Sequence, residues 1–109
     1  MEDPRPYVAI LLFESSSPSP GYRPLYREDI ALVYAEGHER AVERARAHGL
    51  AQECTVYNDL GEAITLRLIE VVDVNEPLDE DLGGGTADLY ARHFYDLDAW
   101  RRVETSLDQ

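Results

Sequence analysis

The sequence contains no lysine: all ten of its basic residues are arginine, set against 22 acids. The formal net charge of −12 repels phosphate backbones and anionic bilayers, which argues against nucleic acid and membrane partners and favours a basic protein. Plain solubility, or adaptation to salt, is the competing reading of the same number. Cys54 is the single cysteine, so there is no internal disulfide and no thiolate pair for zinc. No apolar run approaches the ~18 residues of a membrane span; the longest, Tyr7–Phe13, is the length of a strand. The acidic start Met1-Glu2-Asp3-Pro4 and the early Ser/Pro residues do not resemble a signal peptide, so the expected location is the cytoplasm. The arginine-only basicity and abundant alanine point to a GC-rich bacterial or archaeal genome.

Catalytic signatures are equally scarce. Ser15–Ser17 stand in a Ser/Pro stretch without a Gly-x-Ser-x-Gly elbow. A lone Cys54 with no linked histidine reads as a small buried hydrophobe. His38 and His48 are ten residues apart on one helix and His93 has no neighbouring ligand type, so no metal site is expected. Asp79-Glu80-Asp81 with Gly83–Gly85 and Asp88 lacks the spacing of a calcium loop and reads as a solvated acidic connection. The same glycines lead into a strand rather than a helix, so no phosphate loop or cofactor site is expected. Glu62, Asp88 and His93 offer acid–base groups of a kind any acidic protein has.

What is present is a clear α+β pattern. Tyr7–Phe13 is apolar on both faces and reads as a central strand; Ile30–Tyr34 reads as a second, after a loop that takes in Tyr22, Arg23, Tyr26 and Arg27. Gly37 caps a helix over about 37–48, with His38, Ala41, Val42, Ala45 and Gly49 forming an alanine-rich stripe. Gly49-Leu50 reads as its Schellman stop. Cys54–Tyr57, the turn Asn58–Gly61 and a long strand from Ala63 to Val74 make a hairpin, with a bulge where the alternation blurs near 68–70. Ala87–Phe94 alternates as a last strand, and Asp96 caps a final helix carrying Leu97, Trp100, Val103 and Leu107. The expected order is β-β-α-β-β-β-α: one domain over residues 1–109, mostly antiparallel, its main helix packed on one face, with flexible loops at about 14–28 and 76–85. The second helix is expected to cover the sheet's edge or other face.

Several of these pieces carry a resemblance. Ala35-Glu36 leading to Ala41 and Ala45, then Tyr57-Asn58-x-x-Gly61-Glu62-x-Ile64, Val72-Asp73-Val74 and Gly85-x-x-Asp88-Leu89-Tyr90-x-Arg92 resemble a family of roughly hundred-residue bacterial proteins known as a domain of unknown function. Asp88 stands where that family's pattern suggests Glu. The resemblance implies a small α+β domain over most of residues 7–94 and supplies no activity.

Charge and surface chemistry then order the functional expectations. Residues 1–50 hold eight acids and six arginines, a net −2, whereas residues 51–109 hold fourteen acids and four arginines, a net −10. Asp88, Tyr90 and Arg92 are expected on one face of the last strand, beside Thr65 and Arg67 if the two strands pair. With Tyr57, Asn58 and the acids Asp79, Glu80 and Asp81 they form a candidate interaction face, Tyr and Arg being favoured at protein contacts. An ordinary solvated sheet face with cross-strand Asp–Arg pairs is the alternative. The leading expectation is a non-catalytic interaction or antagonist module that engages a basic protein, such as a toxin. A small-molecule binder or minor enzyme using the Asp88/Tyr90/Arg92 face is the second, and a homodimer joined through an exposed sheet edge is the third.

Overall fold

Seven successive apolar residues, Tyr7–Phe13, leave a strand with no polar face to give to water, so it must be covered on both sides. A computed structural model describes residues 3–106, with side chains through Val103. It places this run in β1 (Arg5–Ser16), between β2 (Leu25–Ala35) and β4 (Ala63–Asn75), with the short β3 (Cys54–Tyr57) beyond β4. The order is β2-β1-β4-β3 and all three pairings are antiparallel. The class is therefore the α+β that the pattern implied. A helix between two strands permits a parallel crossover; here α1 (His38–Ala51) instead spans the sheet from one edge strand, β2, to the other, β3.

The alanine stripe decides how α1 sits. Ala41 and Ala45 are fully buried and Val42 packs beside them, against Tyr7, Ala9, Leu11, Phe13, Val33 and Ala35 from the strands. Gly37 is the N-cap, in extended backbone and without a side-chain cap, with Glu39 in the first turn. The helix does not stop at Gly49. It runs to Ala51 and ends as Gln52 N–H donates to Gly49 O and Glu53 N–H to Leu50 O, both at 3.1 Å. Gly49 is absent from the positive-φ glycines and is a contact residue instead. A Cβ there would lie 2.9 Å from Leu11 Cδ2 and 2.9 Å from Leu68 Cδ2. Leu50, expected to fold back onto the last turn, is 43% exposed.

The blurred alternation in β4 resolves into two register shifts against β1. Ile10 pairs with Asp73 and Leu11 with Val71, so Val72 is extra; Leu12 pairs with Glu70 and Phe13 with Leu68, so Ile69 is extra. Leu66, Leu68, Val71 and Val74 thereby all reach the α1 side, at spacings of two, three and three. The turn between β3 and β4 has Gly61 at φ +76 as expected.

Two strand boundaries and one whole element also differ from expectation. β1 and β2 extend well into the predicted loop, leaving 17–24 as the connection. Tyr26 and Arg27 lie within β2, where Arg27 stacks on the Phe13 ring at 4.6 Å. An exposed edge strand tolerates such polar residues, so polarity there did not signal a loop. The predicted strand Ala87–Phe94 does not form: between β4 and α2 (Leu97–Ser106) the chain is irregular. Rather than running along a free strand edge, the segment turns back on itself, Asp79 N–H bonding Asp88 O at 3.0 Å to close a loop.

This segment forms an arm over the outer face, opposite α1. Val8 and Ile10 point to that face and are 2% and 1% exposed, so chain must cover them, and Arg92 reaches Glu28 of β2 at 3.1 Å. The arm takes the covering place expected of the second helix. Among the described residues α2 packs against no strand and not against α1. Asp96 does cap it, accepting Ala99 N–H at 2.9 Å. Leu107 lies outside the described residues.

Gly49→Ala separates a contact glycine from an ordinary helical one. At a free helix position the change stabilises by about 1 kcal/mol; overpacking against buried neighbours costs about 1–3 kcal/mol. The expected outcome is a net loss of stability, read as a lower urea midpoint at unchanged m-value. A gain would show that α1 does not approach β1 and β4 this closely.

Candidate functional site

Residues opposite each other in the register share a sheet face. On the outer face Arg67 of β4, Glu14 of β1 and Tyr26 of β2 form one row; Glu70, Leu12 and Glu28 form the next, and Asp73, Ile10 and Ile30 the third. The apolar centre, Val8 and Ile10, lies under the arm, while acids line the β4 side.

Two polar links hold this face. The Tyr26 hydroxyl donates to the Glu14 carboxylate, and that bond, helped by the Glu14 charge, raises the Tyr26 pKa above its ordinary value. The Glu28 charge foremost, with a hydrogen bond to Tyr90, raises that of Arg92. A separate network lies on the α1 side. Arg27 forks onto Asp29 at 2.9 and 3.2 Å and donates to Gln52 Oε1 at 2.9 Å. Gln52 Nε2 donates to His48 Nε2 at 3.2 Å, tying the end of α1 to β2. His38 Nε2 donates to Val74 O at 2.9 Å and its ring meets Tyr7 edge-on, which pins the start of α1 to β4.

The expected interaction face is distributed rather than assembled. Tyr90 and Arg92 stay together, over Glu28. Asp88 turns back, its N–H donating to Asp79 Oδ2 at 2.7 Å. Asp81 Oδ1 accepts Gly83 N–H at 2.9 Å, while Glu80 is exposed. Arg67 sits across from Glu14, and Thr65 shares a 2.9 Å hydroxyl bond with Thr55 of β3. The ladder that would have brought Thr65 and Arg67 beside residues 88–92 is absent, because the neighbours of β4 are β1 and β3.

Asn58 organises the β3–β4 turn: its Oδ1 accepts Leu60 N–H at 3.0 Å and Glu62 N–H at 2.9 Å, and its Nδ2 donates to Glu62 Oε1 at 2.9 Å. Tyr57 beside it is 73% exposed. Cys54, expected inside, is exposed because all four residues of edge strand β3 are. Among the described residues no three His, Cys, Asp or Glu side chains gather as metal ligands, and no helix is long and apolar enough to cross a membrane.

Sequence reading missed one surface. Ile30, Leu32 and Tyr34 on the outer side of β2 are 60%, 46% and 50% exposed. A size alternation signals it: small Ala31, Val33 and Ala35 meet α1, so the larger residues must face away. At the arm's end Phe94 stacks on Trp100 at 6.2 Å, the rings 2° from parallel. Phe94, Tyr95, Ala99 and Trp100 line an open, mostly apolar concavity there with Arg92 at its rim.

Asn58→Ala strips acceptors from two backbone N–H groups and is expected to cost about 1–2 kcal/mol, whereas Tyr57→Ala stays within about 0.5 kcal/mol; urea denaturation compares them. Ultraviolet titration of wild type minus Tyr26→Phe is expected to show Tyr26 ionising above pH ~10 and returning toward that value in Glu14→Gln. Because the folded-state pKa is raised, this bond's stabilisation is present below the unfolded value and is lost as pH climbs through the folded one. Ionisation of Tyr26 unaffected by Glu14→Gln would refute the pairing.

No curated protein and no solved structure matches this chain. The model of one family, described as Domain of unknown function (DUF4288), matches residues 6–91, from the start of β1 to Ala91 on the arm. With all four strands and α1 inside that match, the chain belongs to the DUF4288 family.

Proposed function

We propose that the protein is a non-catalytic interaction module whose acidic β4 margin and arm bind a basic protein, in the manner of an antagonist that neutralises a toxin. The observation that supports this is the state of its acids. Among the described residues, ion pairs with arginine engage Glu28, Asp29, Glu43 and Glu76. Glu70, Asp79, Glu80 and Asp81 have no arginine within ion-pair distance, and all four are exposed. Each such charge is worth under about 1 kcal/mol in a contact. Together they steer a basic surface over roughly 10 Å at moderate ionic strength. Asp79, Asp81 and Asp88 also shape the arm's loop, so Glu70 and Glu80 are the acids to change without disturbing it.

The double variant Glu70→Arg, Glu80→Arg tests this reading. Wild type and variant, each immobilised, are exposed to lysate of the source organism at about 50 mM and about 500 mM salt, where screening differs severalfold. Mass spectrometry is expected to find a basic protein enriched by wild type at low salt, lost at high salt, and at least about fivefold depleted on the variant. Equal capture by both proteins, or no specific capture, would overturn the proposal.

A further inference from the structure

Two apolar surfaces of this chain face water although each has the form of a contact. One is the free edge of β2, where Leu32 and Tyr34 stand beside Val33, and Arg44, Ala47 and His48 of α1 form the far wall of a groove. The other is α2, with Leu97 48% and Trp100 44% exposed. The two do not pack on each other within one chain.

The chain as a whole is correspondingly open. Its accessible surface is 8401 Å², against about 6,100 Å² for a folded monomer of this mass. Its radius of gyration is 17.0 Å, against about 13 Å for a compact chain of this length.

We propose that this protein pairs with a second copy of itself by exchanging its α2 helices. The α2 helix of each copy lies in the β2–α1 groove of the other, with Leu97 and Trp100 against Leu32 and Tyr34. Both halves of the contact are present on every chain, so a two-fold arrangement satisfies them together and closes. The path of the arm favours this. It crosses the outer face to Glu28 of β2, so α2 begins on the side of the sheet where the groove lies. Length agrees too: ten residues of helix span about 15 Å, and five residues of strand, Ile30–Tyr34, span about 16 Å.

Charge also agrees. Asp96 and Asp98 stand at the start of α2, and the Arg44 guanidinium lines the groove. The exposed acids Glu70 and Glu80 lie on β4 and the root of the arm, outside this contact. Repulsion between two chains of charge −12 is therefore long-range and screened by salt, while the contact itself is apolar. Dimerisation should strengthen as salt rises. Binding of a basic protein should weaken, so the two proposals fail independently.

The test is light scattering coupled to size exclusion on the full chain, loaded at about 10–200 µM in low and in high salt. The expected mass is twice 12.4 kDa, with the dimer favoured at high salt. Trp100→Ala and Leu32→Arg change side chains that a single chain leaves exposed; each is expected to raise the dissociation constant about tenfold or more, with an unchanged circular dichroism spectrum. In a Cys54→Ser background, mixing Ala99→Cys protein with Ala47→Cys protein is expected to give an interchain disulfide. A monomer under every condition would overturn the proposal. So would a dimer indifferent to both Trp100→Ala and Leu32→Arg, or a failure of the cysteine pair to cross-link within a dimer.

Discussion

Everything in this structure depends on covering β1 from both sides. Val8, Ile10, Leu11 and Phe13 are its fully enclosed large side chains, each contributing about 1.5–3 kcal/mol when removed from water. Val8 and Ile10 point to the outer face and Leu11 and Phe13 to the α1 face, so no single layer can bury them. The two covers are built by different means. On one side α1 lies close against the sheet; on the other an irregular arm, anchored through Arg5–Glu76 at its root and Arg92–Glu28 further on, crosses the strands. Both anchors are exposed ion pairs and individually weak, so the apolar surface beneath the arm, more than the ion pairs, holds it down.

The close approach of α1 has a consequence at the sheet's edge. A helix that presents Ala41, Ala45 and Gly49 needs small partners, and β2 supplies Ala31, Val33 and Ala35 on that side. The larger residues of the same strand, Ile30, Leu32 and Tyr34, then necessarily point outward. Size complementarity on the buried face and apolar exposure on the other are two results of one alternation. An edge strand with such a face is a liability unless something covers it.

Legibility followed the range of the forces involved. β1 declared itself because burial on both faces needs an unbroken apolar run. The N-terminus of α1, the Gly61 turn and the Asp96 cap are local, and each was legible from a few adjacent residues. The bulge near Ile69 was visible as lost alternation, but the second, at Val72, was hidden among valines that suit either face. Gly49 was misread because a glycine near a helix end has two explanations, a left-handed cap or close packing, and only the neighbours Leu11 and Leu68 distinguish them. Ala87–Phe94 alternates like a strand, yet a strand also needs a partner edge, which no local pattern can report. The candidate face built on that strand was therefore the least legible part.

The same division separates structural acids from available ones. Asp79, Asp81 and Asp88 are consecutive signals of negative charge in sequence, but their oxygens accept backbone N–H groups or their backbones bond each other, so part of that charge serves the loop's own geometry. Asn58 and Glu62 show the same principle in the hairpin, since its most distinctive sequence pattern is spent on the turn. Glu70 and Glu80 have no such duty among the described hydrogen bonds. With the apolar stripe near β2 and the uncommitted acids on β4 and the arm, the two proposed contacts are spatially separate, the first expected to strengthen with salt and the second to weaken. Contacts with opposite salt dependence on opposite sides of one sheet can be occupied independently, which is what a module that both pairs with itself and captures a basic partner requires.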